Sequence, residues 1–146
     1  MAPLVSKSAA VPDGTDLTGQ WQLIGDARAD ISKPMDEDIR VDVFVRTGTS
    51  IKVTQTDYAL FVSFDRAVVE EYRFGENRVV SKGAIEADRV SGWENAAYVI
   101  ETRDSEGAVL VETYRLTDGG ETMTRTVEIT FRGNPEYQLR QVFERT

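Results

Sequence analysis

The chain is a succession of short runs rich in β-branched and aromatic residues, separated by turn-forming residues. Typical runs are IKVTQ (51–55), YALFVSF (58–64) and AVLVETYRL (108–116), and DSEG and TDGGE are typical of the breaks. Such runs predict antiparallel hairpins, because a hairpin needs only a short Gly, Asp or Asn turn. A parallel sheet would need helices between its strands, and no such alternation is present. We therefore predict an all-β, antiparallel up-and-down meander.

Closure of this meander is the simplest way to remove its exposed edges. Eight to ten strands with one mostly buried face must stack as two sheets or close on themselves. Short loops favour closure, so we predict a barrel of about 8–10 strands. The first strand is expected around 21–24, followed by a loop over 25–35, and RVVSKGAI (78–85) is expected to be a single strand.

The segment from 34 to 48 has two interpretations. Its alternating β-branched residues favour a strand, whereas the acidic residues after Pro34 and the terminal Gly48 favour a short helix. We lean towards the strand and leave the helix open.

The length of 146 residues is typical of one domain with a core of its own. Residues 1–16 are small and polar and include Pro, so we expect a flexible N-terminal lead-in before a single β-barrel domain over 17–146. As written, this lead-in has no continuous apolar stretch, so we expect it to be neither an export signal nor a membrane span. It is equally typical of an envelope protein whose export signal has been removed and of a cytoplasmic protein.

Charge and composition exclude several functions. Lys and Arg number 17 and Asp and Glu 25, which gives a net charge of 17 − 25 = −8. Such a surface repels phosphate backbones and anionic lipids, so we expect neither nucleic-acid binding nor membrane insertion. The chain has no His and no Cys, which removes thiol chemistry, disulfides and most zinc, copper and iron sites. We expect no cofactor and no metal, and an enzyme is the weakest of the functions considered.

Strand alternation brings charged residues into apolar rows. Arg125 shares a row with Met123, Val127, Ile129 and Phe131, and Glu112 shares a row with Leu110, Tyr114 and Leu116. An Arg inside an apolar pocket can hold the carboxylate or phosphate of a ligand. The alternatives are that Arg125 pairs with an inward-facing Glu112, or that it extends to water at the end of the barrel.

Amphipathic aromatic residues complete the set of candidates. Trp93 follows Gly92 at the expected start of a strand, where its ring would line the mouth of a barrel or cap the core. We expect no catalytic residue. The candidate ligand-binding residues are Trp93, Tyr98, Glu112, Tyr114 and Arg125.

The stretch TGQW (18–21) resembles the Gly-x-Trp that begins the first strand of lipocalins and the wider calycin superfamily. The resemblance implies that Gly19 and Trp21 close one end of the barrel, with Arg140 or Arg145 of the last strand stacked on Trp21. A cation–π contact is the physical reason for such a pair. From 17 to 145 the chain also resembles small bacterial lipocalin-like envelope proteins, through GWENAAYVIETRDSEG and the final VFER. That resemblance implies a periplasmic or outer-envelope location, with the cytoplasm as the alternative.

Three functions stay open at this point. The first, which we expect, is a lipocalin-like protein that binds a small hydrophobic or amphipathic ligand inside its barrel. The second is an envelope interaction or structural protein whose barrel is filled by its own side chains, and which binds a protein partner or forms a homodimer. The third is an isomerase or cyclase that works without His or Cys.

Overall fold

The computed structural model describes residues 4–30, 44–45 and 47–146, and for residues 27–30 it describes the backbone alone. Within these residues, ten antiparallel strands form one curled sheet in the order β4-β3-β2-β1-β10-β9-β8-β7-β6-β5. The strands are β1 Gly19–Asp30, β2 Ser50–Gln55, β3 Ala59–Phe64, β4 Val68–Arg73, β5 Asn77–Lys82, β6 Ile85–Glu94, β7 Ala97–Asp104, β8 Ala108–Thr117, β9 Thr122–Phe131 and β10 Asn134–Arg145. The predicted all-β antiparallel meander is confirmed.

The sheet closes where its first and last strands meet and stays open at one other place. β1 pairs with β10 in a register that sets Trp21 opposite Arg145. β4 and β5 are both fully described and do not pair with each other, although they are consecutive in the chain. The backbone just after β4 bonds to β6 instead, since Gly75 N donates to Ser91 O at 2.8 Å. The barrel is therefore split between β4 and β5.

Two predicted boundaries are wrong. Residues 78–85 are not one strand, because Gly83 adopts a φ of +65° in a turn that ends β5 and starts β6. Residues 25–30 continue β1 after a register shift between Leu23 and Gly25, where a loop was expected. The sequence signal for β1 weakens there because Asp26 and Asp30 interrupt the apolar pattern. The predicted strand over 34–48 falls mostly outside the described residues.

Trp21, near the start of β1, packs against Arg145 at the end of β10, and the role of this pair in closing the barrel stays a prediction. The Trp21 side chain is fully buried, and its Nε1 donates to Leu17 O at 3.0 Å. The guanidinium carbon of Arg145 lies 4.3 Å from the centre of the Trp21 ring, and its nitrogens donate to Thr18 O and Gly120 O. A Cβ on Gly19 would collide with Nη1 of Arg145, so glycine leaves the room that this arginine occupies. Both arginines considered are exposed residues, and Arg145 is the one whose guanidinium lies over the Trp21 ring.

The N-terminal segment lies across the end of β6. Trp93 N donates to Ser8 O at 2.9 Å, and Lys7 Nζ contacts Glu94 Oε1 at 2.7 Å. A Cβ on Gly92 would overlap Ser8 O, so this close approach requires glycine. The expected flexibility of residues 1–16 stays a prediction. No helix in the described part of the chain is long and apolar enough to cross a membrane.

Candidate functional site

A cluster of polar side chains lies inside the barrel on three adjacent strands. Arg125 of β9 donates from Nη2 to Glu112 Oε2 at 2.9 Å, from Nε to the Tyr114 hydroxyl at 3.0 Å, and from Nη1 to Gln141 Oε1 at 2.9 Å. All four side chains are buried. The interior of the barrel therefore holds a buried ion pair with neutral hydrogen-bonding neighbours.

Strand register explains why these residues meet. Tyr114 of β8 and Gln141 of β10 are each directly opposite Arg125. Glu112 is two residues before Tyr114 on β8, and alternation turns both side chains to the same face. Glu112 and Arg125 were both predicted to face inward, and the structure joins them as an ion pair. Gln141 was missed because QVFER predicts a strand without indicating which neighbour its glutamine meets.

Burial shapes the electrostatics of the cluster. It raises the pKa of Tyr114 well above its usual value, so this hydroxyl stays protonated. Burial alone would lower the pKa of Arg125, but Tyr114 and Glu112 raise it, and the net shift is upward. Within the described structure, Oε1 of Glu112 has no hydrogen-bond partner. This buried acceptor is free to receive a donor from a ligand or a water molecule.

The other two candidate residues belong to an aromatic cluster. The ring centres of Trp93 and Tyr98 are 5.1 Å apart, and Phe74 lies 5.4 Å from Trp93 and 5.5 Å from Tyr98. The Tyr98 hydroxyl donates to Ser91 Oγ at 2.9 Å, while Trp93 Nε1 is buried without a partner among the described residues. Trp93 lies at the end of β6, not at the start of a strand as expected, and it packs in the core.

The sequence analysis did not single out a second buried arginine, Arg89, which lies beside Tyr72 of β4. Arg89 of β6 is only 3 % exposed, and its Nε donates to Thr102 Oγ1 at 3.1 Å. Its guanidinium carbon is 5.5 Å from the centre of the Tyr72 ring and 5.9 Å from that of Phe44. The segment IEADRVSGWE carries charged residues and a glycine, so its pattern indicates a strand only weakly. For that reason the sequence did not predict that the Arg89 side chain points into the barrel.

An open cavity reaches this arginine. The β4–β5 cleft has a volume of about 350 Å³ and lies where β4 and β5 separate. The described residues that line it are Phe44, Glu70, Arg78, Val79, Val80, Ser81, Lys82 and Arg89. None of the five candidate ligand-binding residues lines it, so their role in binding stays a prediction. Among the residues described, no group of three or more Asp or Glu side chains is placed to hold a metal ion.

The arrangement is that of a fatty-acid-binding-protein-like, calycin-like β-barrel. No family model and no curated protein matches the sequence. Among solved structures, the chain is similar to lipid binding protein 8 of Caenorhabditis elegans in its apo form, with a TM-score of 0.60, 11% identity and coverage of 94% of this chain and 100% of that one.

Two further structures share the fold. The chain is similar to the Schistosoma mansoni fatty acid binding protein in complex with arachidonic acid, with a TM-score of 0.56, 13% identity and coverage of 89% of this chain and 96% of that one. It is also similar to secretory abundant heat soluble protein 4 of Ramazzottius varieornatus, with a TM-score of 0.56, 13% identity and coverage of 91% and 96%. At these identities the comparison establishes the fold.

Proposed function

We propose that this protein binds a small hydrophobic or amphipathic ligand, which enters its barrel between β4 and β5. The observation that carries the proposal is the β4–β5 cleft, because it joins solvent to a side chain that is otherwise buried in the barrel. Its volume of about 350 Å³ is within the range of roughly 300–1,000 Å³ that is usual for ligand pockets.

The interior of the barrel supports the same proposal. A barrel of eight strands is just wide enough to be filled by side chains or to hold one small ligand, and ten strands make a wider one. Its polar groups are few and lie among apolar and aromatic side chains, which is the usual composition of a pocket that orients an amphipathic molecule. Several of the structural neighbours are named for fatty-acid or lipid binding, in agreement with this class of ligand.

The test is to measure ligand binding with the β4–β5 cleft open and blocked. In the wild-type protein, octanoate should raise the melting temperature and be retained in native mass spectrometry. Ser81→Trp places an indole in the cleft from an exposed position and should abolish both effects. Thr54→Trp, on the exposed face of β2, is the matched control and should keep them. Equal binding by both variants would show that the cleft is not the entrance.

A filled barrel with a protein partner is the second candidate. It is favoured by the hydrogen bonds that already hold Arg125 and by the exposed side chains of Val69 and Val79, which are 66% and 61% exposed on the edge strands β4 and β5. Exposed apolar residues on strand edges are typical pairing surfaces. A flat thermal response to octanoate, oleate and 1-octanol would favour this second function.

The envelope location is also part of our proposal and rests on the resemblance to small bacterial envelope proteins. Fractionation of cells that carry the complete gene should recover the protein in the periplasmic or outer-membrane fraction. Recovery in the cytoplasm alone would contradict it.

A further inference from the structure

We propose that Arg89 is the receptor for the anionic headgroup of the ligand, and that the ligand is a small amphipathic carboxylate bound with its headgroup at the base of the β4–β5 cleft. This inference rests on the proposed function and adds the chemical class of the ligand. It also moves the anion site from Arg125, the residue indicated by the sequence, to a residue on a different strand.

Arg89 is a buried charge with no opposite charge paired to it among the described residues. Arg89 is 3 % exposed, and no carboxylate of the described residues forms an ion pair with it. An arginine side chain carries a positive charge in proteins, so this burial places a charge in the core. Buried charges are normally paired with an opposite charge, because an isolated buried ion is strongly unfavourable. Within the described part of the chain, Arg89 therefore lacks the partner that an anionic ligand would provide.

Arg125 is in the opposite situation. Its charge is balanced by Glu112 at 2.9 Å, and Tyr114 and Gln141 take further nitrogens of its guanidinium. A carboxylate at Arg125 would have to displace Glu112 or lie beside it as a second buried anion, and both are unfavourable. The ion pair thus directs an anion away from Arg125.

The surroundings of Arg89 fit a planar anion. Phe44 and Tyr72 each place a ring within 6 Å of the guanidinium, and the bond from Nε to Thr102 Oγ1 fixes its orientation. A guanidinium held in this way can donate its remaining N–H groups side by side to a carboxylate. Because Arg89 lines the β4–β5 cleft, such an anion can approach from solvent.

The rest of the β4–β5 cleft defines the remainder of the ligand. Val79, Val80 and Phe44 offer apolar surface, and among the described lining residues Arg78 and Lys82 add positive charge against one acidic residue, Glu70. A volume of about 350 Å³ is at the low end for ligand pockets, which span roughly 300–1,000 Å³. These features favour a carboxylate with a short apolar body over a long-chain lipid held wholly in this cleft.

The experiment compares octanoate with 1-octanol, which has the same chain length and no charge, by isothermal titration calorimetry. Wild-type protein should bind octanoate more tightly by about tenfold or more, as expected for charge-assisted hydrogen bonds. Arg89→Met keeps the approximate size of the side chain, and it should remove this preference by weakening the binding of octanoate. Arg140→Met removes one exposed arginine far from the cleft and should retain the wild-type preference.

The outcomes separate this inference from the proposed function. If Arg89→Met binds both compounds as the wild type does, the anion site is elsewhere while ligand binding stands. If the wild-type protein binds neither compound, the proposed function and the inference both fail.

A second measurement on the wild-type protein covers the case in which Arg89→Met does not fold. The carboxyl group of bound 1-¹³C-octanoate, followed by the chemical shift of its labelled carbon, should stay ionised to lower pH than that of the free compound. The reason is that a neighbouring guanidinium favours the charged form. The same titration midpoint for bound and free octanoate would overturn the assignment.

Discussion

Arg125 and Glu112 form an ion pair inside the barrel, with Nη2 and Oε2 2.9 Å apart and both side chains at most 1% exposed. Neighbouring strands β9 and β8 supply the two residues. The pair stabilises the barrel only as a unit, because each charge would be isolated in the core without the other. Loss of either residue alone therefore leaves the other charge buried without its partner.

Removal of one member should be more damaging than removal of both. We expect Arg125→Met to lower the free energy of unfolding by about 3–5 kcal/mol, since it leaves Glu112 buried and unpaired. The double variant Arg125→Met with Glu112→Leu should recover a large part of that loss. Urea denaturation of the single and double variants measures the coupling, and strictly additive losses would contradict it.

Alkaline pH should destabilise the protein through its buried tyrosines. Burial raises the pKa of Tyr72, Tyr98 and Tyr114 above the ordinary value of 10.0. At pH values below the ordinary tyrosine pKa, the contribution of these buried tyrosines to the free energy of unfolding is fully present. As the pH rises further, the unfolded tyrosines ionise while the folded ones keep their protons, so the free energy of unfolding falls.

Urea titrations between about pH 8 and pH 12 measure this loss, since the window has to span the ordinary tyrosine pKa of about 10. Tyr72→Phe should make the loss less steep, because Tyr72 is fully buried. Tyr58→Phe, at a position 59% exposed, is the matched control. An equal pH dependence for wild type and Tyr72→Phe would disprove the assignment.

The contact between Arg145 and Trp21 should contribute modestly to stability. Arg145→Ala removes the ring contact at 4.3 Å and the hydrogen bonds to Thr18 O and Gly120 O. Because Arg145 is exposed, we expect a loss of about 1–2 kcal/mol in the free energy of unfolding. Arg140→Ala should lower the free energy of unfolding by less than half as much. Thermal or urea denaturation of the two variants measures both losses. Equal losses would mean that Arg145 does not act through Trp21.

The N-terminal segment should detach when Gly92 gains a side chain. Gly92→Ala places a Cβ against Ser8 O, which should displace the segment and expose the backbone of Trp93. Limited proteolysis should then cleave residues 4–16 faster than in the wild-type protein. Gly25→Ala is the control, because a Cβ there would make an ordinary 3.8 Å contact with Val142. Unchanged cleavage in Gly92→Ala would show that the contact does not hold the segment.

Much of the fold could be predicted from the sequence because strand signals are local. Alternation on β8 and β9 placed Glu112, Tyr114 and Arg125 on the inner face, and turn residues marked most hairpins. The prediction failed where local signals conflict with pairing. β6 carries Asp88, Arg89 and Gly92, and its strand conformation depends on neighbours on both sides.

The sequence by itself determined the class of fold, the inward-facing rows and the absence of His and Cys chemistry, since alternation, turn residues and composition are properties of the chain alone. Tertiary structure decided which charges meet. Whether an inward arginine is paired depends on strand register and on which strands become neighbours. That geometry joined Arg125 to Glu112, left Arg89 without an ion pair to any described residue, and opened the cleft between β4 and β5 that leads to it.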